Sequence, residues 1–246
     1  MKKFVSVVVV TLFFFPAALW AGNPGGETNS FLQFQQEVNK AYASYRMALF
    51  QTNKKNQKKS LESAVSFQQQ WQVITEKYWE APPEVYAADP EWKATLVKIS
   101  DFNALGIQEI LVEKLSDAHD TLEAIRDELG DLRQRNQVIT FSDHVNNYHE
   151  AMESLLLLGL RPDDISDKNL LIIREELAVL DYLAETMVQK APAEYLGNEE
   201  FKQVINGVFS SLHNLRQAVN ENSPDDILQS IKKLKTAYAK VFIKFG

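Results

Sequence analysis

The chain has 246 residues, and its 26 Lys and Arg against 33 Asp and Glu give a formal charge of −7. That acidic balance argues against a nucleic-acid or anionic-membrane binder, whose partners carry the same sign. There is no cysteine, which excludes disulfides, thiolate metal sites, a cysteine nucleophile and a cysteine-linked lipid, so packing alone must hold the fold.

In chain order, residues 1–21 read as a secretory signal peptide: Lys2 and Lys3, an apolar run from Phe4 to Phe15, then Pro16 to Ala21 as the small-residue exit. The run is too short to cross a bilayer, which takes about 20 residues. A periplasmic or secreted protein is expected, with no membrane insertion after cleavage. Lys2 and Lys3 supply +2 of the formal charge, so the chain beyond Ala21 carries −9. Residues 22–30 begin with Gly-Asn-Pro-Gly-Gly and read as a flexible lead-in.

From Gly26 to Pro82 no Gly or Pro interrupts the chain, which favours helix over strand. Phe31, Phe34, Val38, Tyr42 or Tyr45 and Leu49 mark one helical face. Leu61, Ala64, Phe67, Trp71, Ile74 and Tyr78 mark a second. The polar stretch Thr52 to Lys59 between them predicts an antiparallel hairpin. A third helix is expected from Asp89-Pro90-Glu91, a start with cap, N1 proline and favourable charge, to about Glu113. A fourth follows Ser116-Asp117 and carries Leu122, Ile125, Leu129 and Leu132. Four more are predicted near 140–158, 167–190, 199–221 and 225–245.

The chain also repeats itself, a sign to settle before any fold is named. Phe34-x-x-x-Val38-Asn39 recurs as Phe141-x-x-x-Val145-Asn146. Ala81-Pro82-x-Glu84, a Tyr and Glu91-Trp92-Lys93 recur as Ala191-Pro192-x-Glu194, Tyr195 and Glu200-Phe201-Lys202. With Lys93 set on Lys202, Leu122, Ile125, Leu129 and Leu132 fall on Ile231, Leu234, Tyr238 and Val241. The expectation is all-α: two tandem up-and-down four-helix bundles, the first unit at 31–137 and the second at 138–246, each of the usual size for such a bundle.

Units of this size, order and compartment, ending in Leu234-Lys235-x-x-Tyr238-x-x-Val241-Phe242-x-x-Phe245-Gly246, resemble the exported cytochrome b562 and cytochrome c′ four-helix bundles. The resemblance implies the scaffold. The haem-attaching Cys-x-x-Cys-His is absent and neither unit ends in a histidine suited to axial ligation, so no haem ligand is implied.

The sharpest candidate chemistry is His149-Glu150-x-x-Glu153 with His144 nearby, and a second His-x-x-x-Glu at His119 and Glu123. Residues four apart share a helix face, where an imidazole and a carboxylate can hold one divalent cation. His144, His149, Glu153 and His213 are therefore the candidate metal ligands. Stepping 100° per residue puts His144 and His149 at opposite borders of the Phe141, Val145, Tyr148, Met152, Leu155 stripe, turns Glu153 further outward and sends His119 and Glu123 to the solvent side. The repeat duplicates none of them: His144 aligns with Glu37, His149 with Tyr42, His213 with Ala104 and His119 with Leu228. Boundary or solvated histidines are the plainer expectation, with His213 half-buried.

Met47, Met152 and Met187 read as core fillers rather than copper ligands. Trp71, Trp79, Trp92, Tyr78 and Tyr86 gather at the Pro82-Pro83 corner as a cap, with Trp79, Tyr86 and Trp92 the candidate partner surface. Lys54, Lys55, Lys58 and Lys59 read as a solvated turn, opposite in charge to Pro162-Asp163-Asp164. No catalytic motif is present. The expected function is an exported, non-catalytic helical binding or interaction protein for a protein or small ligand, with no cofactor predicted. The alternative is a metal- or haem-binding protein of electron transfer or metal handling.

Overall fold

In the computed structural model the described residues are 24–246, with side chains from residue 30 onward; the expected signal peptide at 1–21 lies outside them. The described residues are all-helical, with no strand. The helices are α1 (Pro24–Asn53), α2 (Gln57–Tyr78), α3 (Trp92–Leu111), α4 (Leu115–Arg135), α5 (Phe141–Leu157), α6 (Asp167–Lys190), the single turn α7 (Ala193–Leu196), α8 (Glu199–Asn220) and α9 (Pro224–Phe245), with short 3-10 turns at Glu84–Tyr86 and Pro162–Asp164. No helix among the described residues is long and apolar enough to cross a membrane.

The predicted faces are the buried ones. Phe34, Val38, Ala41, Tyr42, Tyr45, Ala48 and Leu49 line the inner side of α1, and Leu122, Ile125, Leu129 and Leu132 that of α4. Helix ends depart from expectation in four places, one of them α3, which begins at Trp92 after Glu91 and leaves Asp89 and Pro90 outside the helix. Pro24 to Gly26, expected as lead-in, form the first residues of α1, a start that suits proline because its missing N–H needs no partner there. The polar stretch after Thr52 shrinks to a turn at 54–56, and Thr52 itself is buried. Ser116-Asp117 does not cap α4, which begins one residue earlier after Lys114, whose side chain does not cap it.

Each of α1 to α4 packs on the next, and α4 returns to α1; α5, α6, α8 and α9 form a second closed ring in the same order. α1 also packs against α9, so the rings share one continuous apolar core.

Corresponding positions of the two rings make corresponding contacts. Phe34, Tyr86 and Trp92 form an aromatic triad with centroids 5.3 to 5.7 Å apart. Phe141, Tyr195 and Phe201 form its counterpart at 5.3 to 5.8 Å. Tyr86 N–H donates to Pro83 O and Asp89 N–H to Tyr86 O, as Tyr195 N–H does to Pro192 O and Asn198 N–H to Tyr195 O. This pairs Pro83 with Pro192 and corrects the Ala-Pro-x-Glu alignment by one residue. The α3–α4 and α8–α9 turns are equally alike. Glu113 (φ 62°) and Asn222 (φ 51°) sit at the same place in the left-handed region, donating to Ile110 O and Val219 O.

Candidate functional site

The geometry between the rings is set by the α4–α5 connection. Thr140 and Asp143 form a capping box at the start of α5. The Arg133 guanidinium, buried at the end of α4, donates to both oxygens of Asp143 at 2.6 to 3.0 Å. This bidentate pair fixes the chain between the halves. Glu123 then lies as far before the end of α4 as Glu153 lies after the start of α5, so the two carboxylates reach the same height.

At that height four side chains meet in the seam. His149 is only 5% exposed and stacks on the ring of Tyr238 from α9, with centroids 4.9 Å apart and planes 15° from parallel. Its Nε2 stands 3.6 Å from Glu123 Oε1 and 3.7 Å from Glu153 Oε2. Both separations exceed a hydrogen bond, which for N–H···O closes at about 3.2 Å. Neither ring nitrogen of His149 has a hydrogen-bond partner. An imidazole carries at least one N–H, and leaving a buried donor unmet costs about 1–3 kcal/mol.

The same Glu123 oxygen is 3.7 Å from His119 Nε2 and 3.3 Å from Arg126 Nη1. Thr52 settles the tautomer of His119. Its hydroxyl donates to Leu49 O at 2.8 Å, so across the 3.0 Å contact to His119 Nδ1 it can only accept. Nδ1 therefore carries the proton, and Nε2 of the neutral ring accepts from Asn53 Nδ2 at 3.5 Å. Burial lowers the pKa of His119 and favours that neutral form, against the pull of Glu123. Burial opposes ionisation of Glu123 too, yet the His149 and His119 rings in their protonated forms, together with Arg126, outweigh it and hold its carboxyl down at about 2.

A crevice of about 60 Å³ opens beside these groups, lined also by Leu49, Phe50, Lys235 and Phe242. Beyond Arg126, which borders both, a larger cleft of about 690 Å³ runs along the outer side of α4 and α5 past Gly130, Asp131, Ile139, His144 and Glu150.

Of the sequence candidates, His149 and Glu153 belong to the seam. The outward turn expected for Glu153, His119 and Glu123 is corrected: all three are partly buried, because the outer side of one ring faces the other. His144 stands apart from them on the larger cleft. His213, expected half-buried, is exposed on α8. Among the described residues neither joins any group of three convergent ligand atoms. Tyr86 and Trp92, candidates for a partner surface, are core residues at 1% and 3% exposure, while Trp79 is partly buried with the Lys93 ammonium over its ring. Met152 and Met187 are fully buried, and Met47 accepts from Gln51 through its sulfur.

Sequence reasoning missed the roles of Glu123, His119, Arg126, Thr52 and Tyr238. One signal was present: two His-x-x-x-Glu pairs on consecutive helices, with their glutamates equally distant from the joining turn. Compared with known proteins, the chain matches no protein-family model, no curated protein and no solved structure.

Proposed function

We propose that this is an exported, non-catalytic binding protein made of two tandem up-and-down four-helix bundles, and that its ligand is held at the seam between them. The observation that carries the reading is the cleft of about 690 Å³ along α4 and α5. Ligand sites are commonly clefts of roughly 300–1,000 Å³ and favour such junctions. Of the acids that line it, Asp127 pairs with Arg126 and Asp143 with Arg133, while Asp131 and Glu150 have no ion-pair partner among the described residues, a balance that suits a cationic ligand. The aromatic corner is the weaker candidate, since Tyr86 and Trp92 are buried. Export rests on the leader pattern of residues 1–21.

The test is native mass spectrometry and hydrogen exchange on the mature protein isolated from the cells that make it. A bound species protecting residues 126–150 is expected, and Gly130→Trp, whose Cβ has open space around it, should exclude it. Protection confined to the aromatic corner or the Lys54–Lys59 turn would overturn the seam reading. Release of a chemically altered molecule would overturn the non-catalytic one.

A further inference from the structure

We infer that Glu123, His149 and Glu153 form a three-ligand site for a divalent transition-metal ion, zinc by its donor set, bridging α4 and α5 at the seam. The inference rests on the seam being the working face and names an ion for its inner crevice.

Two independent observations converge, the spacing of the ligand atoms and the unpartnered imidazole. The ligand atoms of the three residues all lie within 4.8 Å of one another. His149 is buried and its Nε2, aimed between the two carboxylates, has no hydrogen-bond partner. The spacing fits an ion: nitrogen and oxygen ligands about 2.1 Å from zinc at tetrahedral angles stand about 3.4 Å apart, against the 3.6 and 3.7 Å found here. A protonated imidazole clasped by two carboxylates would instead draw in to about 2.7–2.9 Å.

Two carboxylates neutralise the ion; Arg126, within 3.3 Å of Asp127 as well as of Glu123, and Lys235 on the crevice wall are the cations beside it. One imidazole with two carboxylates suits zinc and its neighbours rather than calcium or magnesium, which prefer all-oxygen shells. A crevice of about 60 Å³ admits an ion and one or two waters and no porphyrin. Three protein ligands leave the fourth position open. An open position fits an ion that is taken up and handed on.

The test is a titration of the chelator-stripped mature chain with zinc chloride by calorimetry and with cobalt chloride followed in the visible. One zinc per chain is expected, with cobalt giving the intense band of a four-coordinate site. Glu153→Gln, at a partly exposed position, should weaken zinc at least tenfold while the melting of the metal-free protein stays put. His149→Gln should do the same; should it unfold the chain, a zinc-induced shift of the His149 ring nitrogen in the wild type replaces it. His144→Ala and His213→Ala should leave binding unchanged. Absence of zinc binding, binding indifferent to Glu153→Gln, or binding lost with His144 or His213 overturns the assignment. A null zinc titration on a protein that still carries a species excluded by Gly130→Trp removes the metal and keeps the seam as binding face. Loss of both removes both.

Discussion

The aromatic corners and the seam are built from the same helices by opposite rules. Each corner is complete within one half, and each half has one: Phe34, Tyr86 and Trp92 in the first, Phe141, Tyr195 and Phe201 in the second. The seam occurs once and is complete in neither half, with His119, Glu123 and Arg126 from α4 meeting His149 and Glu153 from α5 and Tyr238 from α9. What a half needs in order to pack is repeated. What lies between the two halves has no counterpart within either, so a search for repeated residues cannot find a cluster assembled there.

The largest expected effect breaks a corner. Trp92 is 3% exposed and its indole N–H donates to Tyr78 O at 3.0 Å, so Trp92→Ala is expected to cost about 3–5 kcal/mol in urea unfolding. Phe201→Ala empties the matching corner and is expected near the lower end of the same range, having no hydrogen bond to lose. Because the core is continuous across both rings, either substitution should shift one cooperative transition. Two separated transitions would show that the halves fold independently and that the seam is a docked surface rather than shared core.

Next comes the tie that sets the seam. Arg133→Ala leaves Asp143 partly buried, its capping bond to Thr140 N–H at 2.7 Å intact but its guanidinium gone. A loss of about 2–4 kcal/mol is expected. The comparison sharpens if zinc affinity falls as well, since α4 and α5 would no longer hold Glu123 and Glu153 level. An unchanged affinity in a destabilised protein would show that the crevice is positioned by the α1–α9 packing alone.

The corners and the helices were legible in the sequence because both follow from local pattern. Spacings of three and four placed Leu122, Ile125, Leu129 and Leu132 in the core, and the turn residues bracketed every long helix to within a few positions, apart from the start of α1. The misplacement of Glu123 and His119 came from the same method. A helical wheel separates one apolar stripe from everything else, and whatever lies off the stripe is assigned to water. A helix packed in its own ring and also against a second ring has two buried sides, the second of them only partly apolar. His119, Glu123 and Arg126 lie on that second side of α4. The one-residue error at Pro82 has a comparable source: identity matched the Ala-Pro-x-Glu letters, whereas the hydrogen bonds of the turn follow Pro83 and Tyr86.

The next effect tests the shared register where one half departs from the other. Gly106 falls on Leu215 and Leu122 on Ile231, so the first half places a glycine against a leucine where the second places two large side chains. A Cβ on Gly106 would stand 2.8 Å from Leu122 Cδ2 and 2.9 Å from its Cγ, and Leu122 is fully buried. Overpacking costs about 1–3 kcal/mol, against about 1 kcal/mol gained from helix propensity. Gly106→Ala should therefore lower stability by about 1 kcal/mol in thermal or urea melts. A gain would mean that Leu122 swings aside freely and that α3 and α4 are more loosely packed than α8 and α9.

The smallest effect has the opposite sign. Gly130 falls on Ala239 in the shared register, and nothing lies within 4 Å of the position a Cβ would take there. Gly130→Ala keeps the α4 backbone, removes conformational freedom from the unfolded chain and is expected to stabilise the protein by about 0.5–1 kcal/mol. Stability alone would not explain a glycine at this position. Gly130 lines the cleft, so the informative measurement pairs the melting curve of Gly130→Ala with its capture of the species that Gly130→Trp should exclude. A more stable protein with weakened capture would show that a glycine on α4 gives up helix propensity to leave room in the cleft.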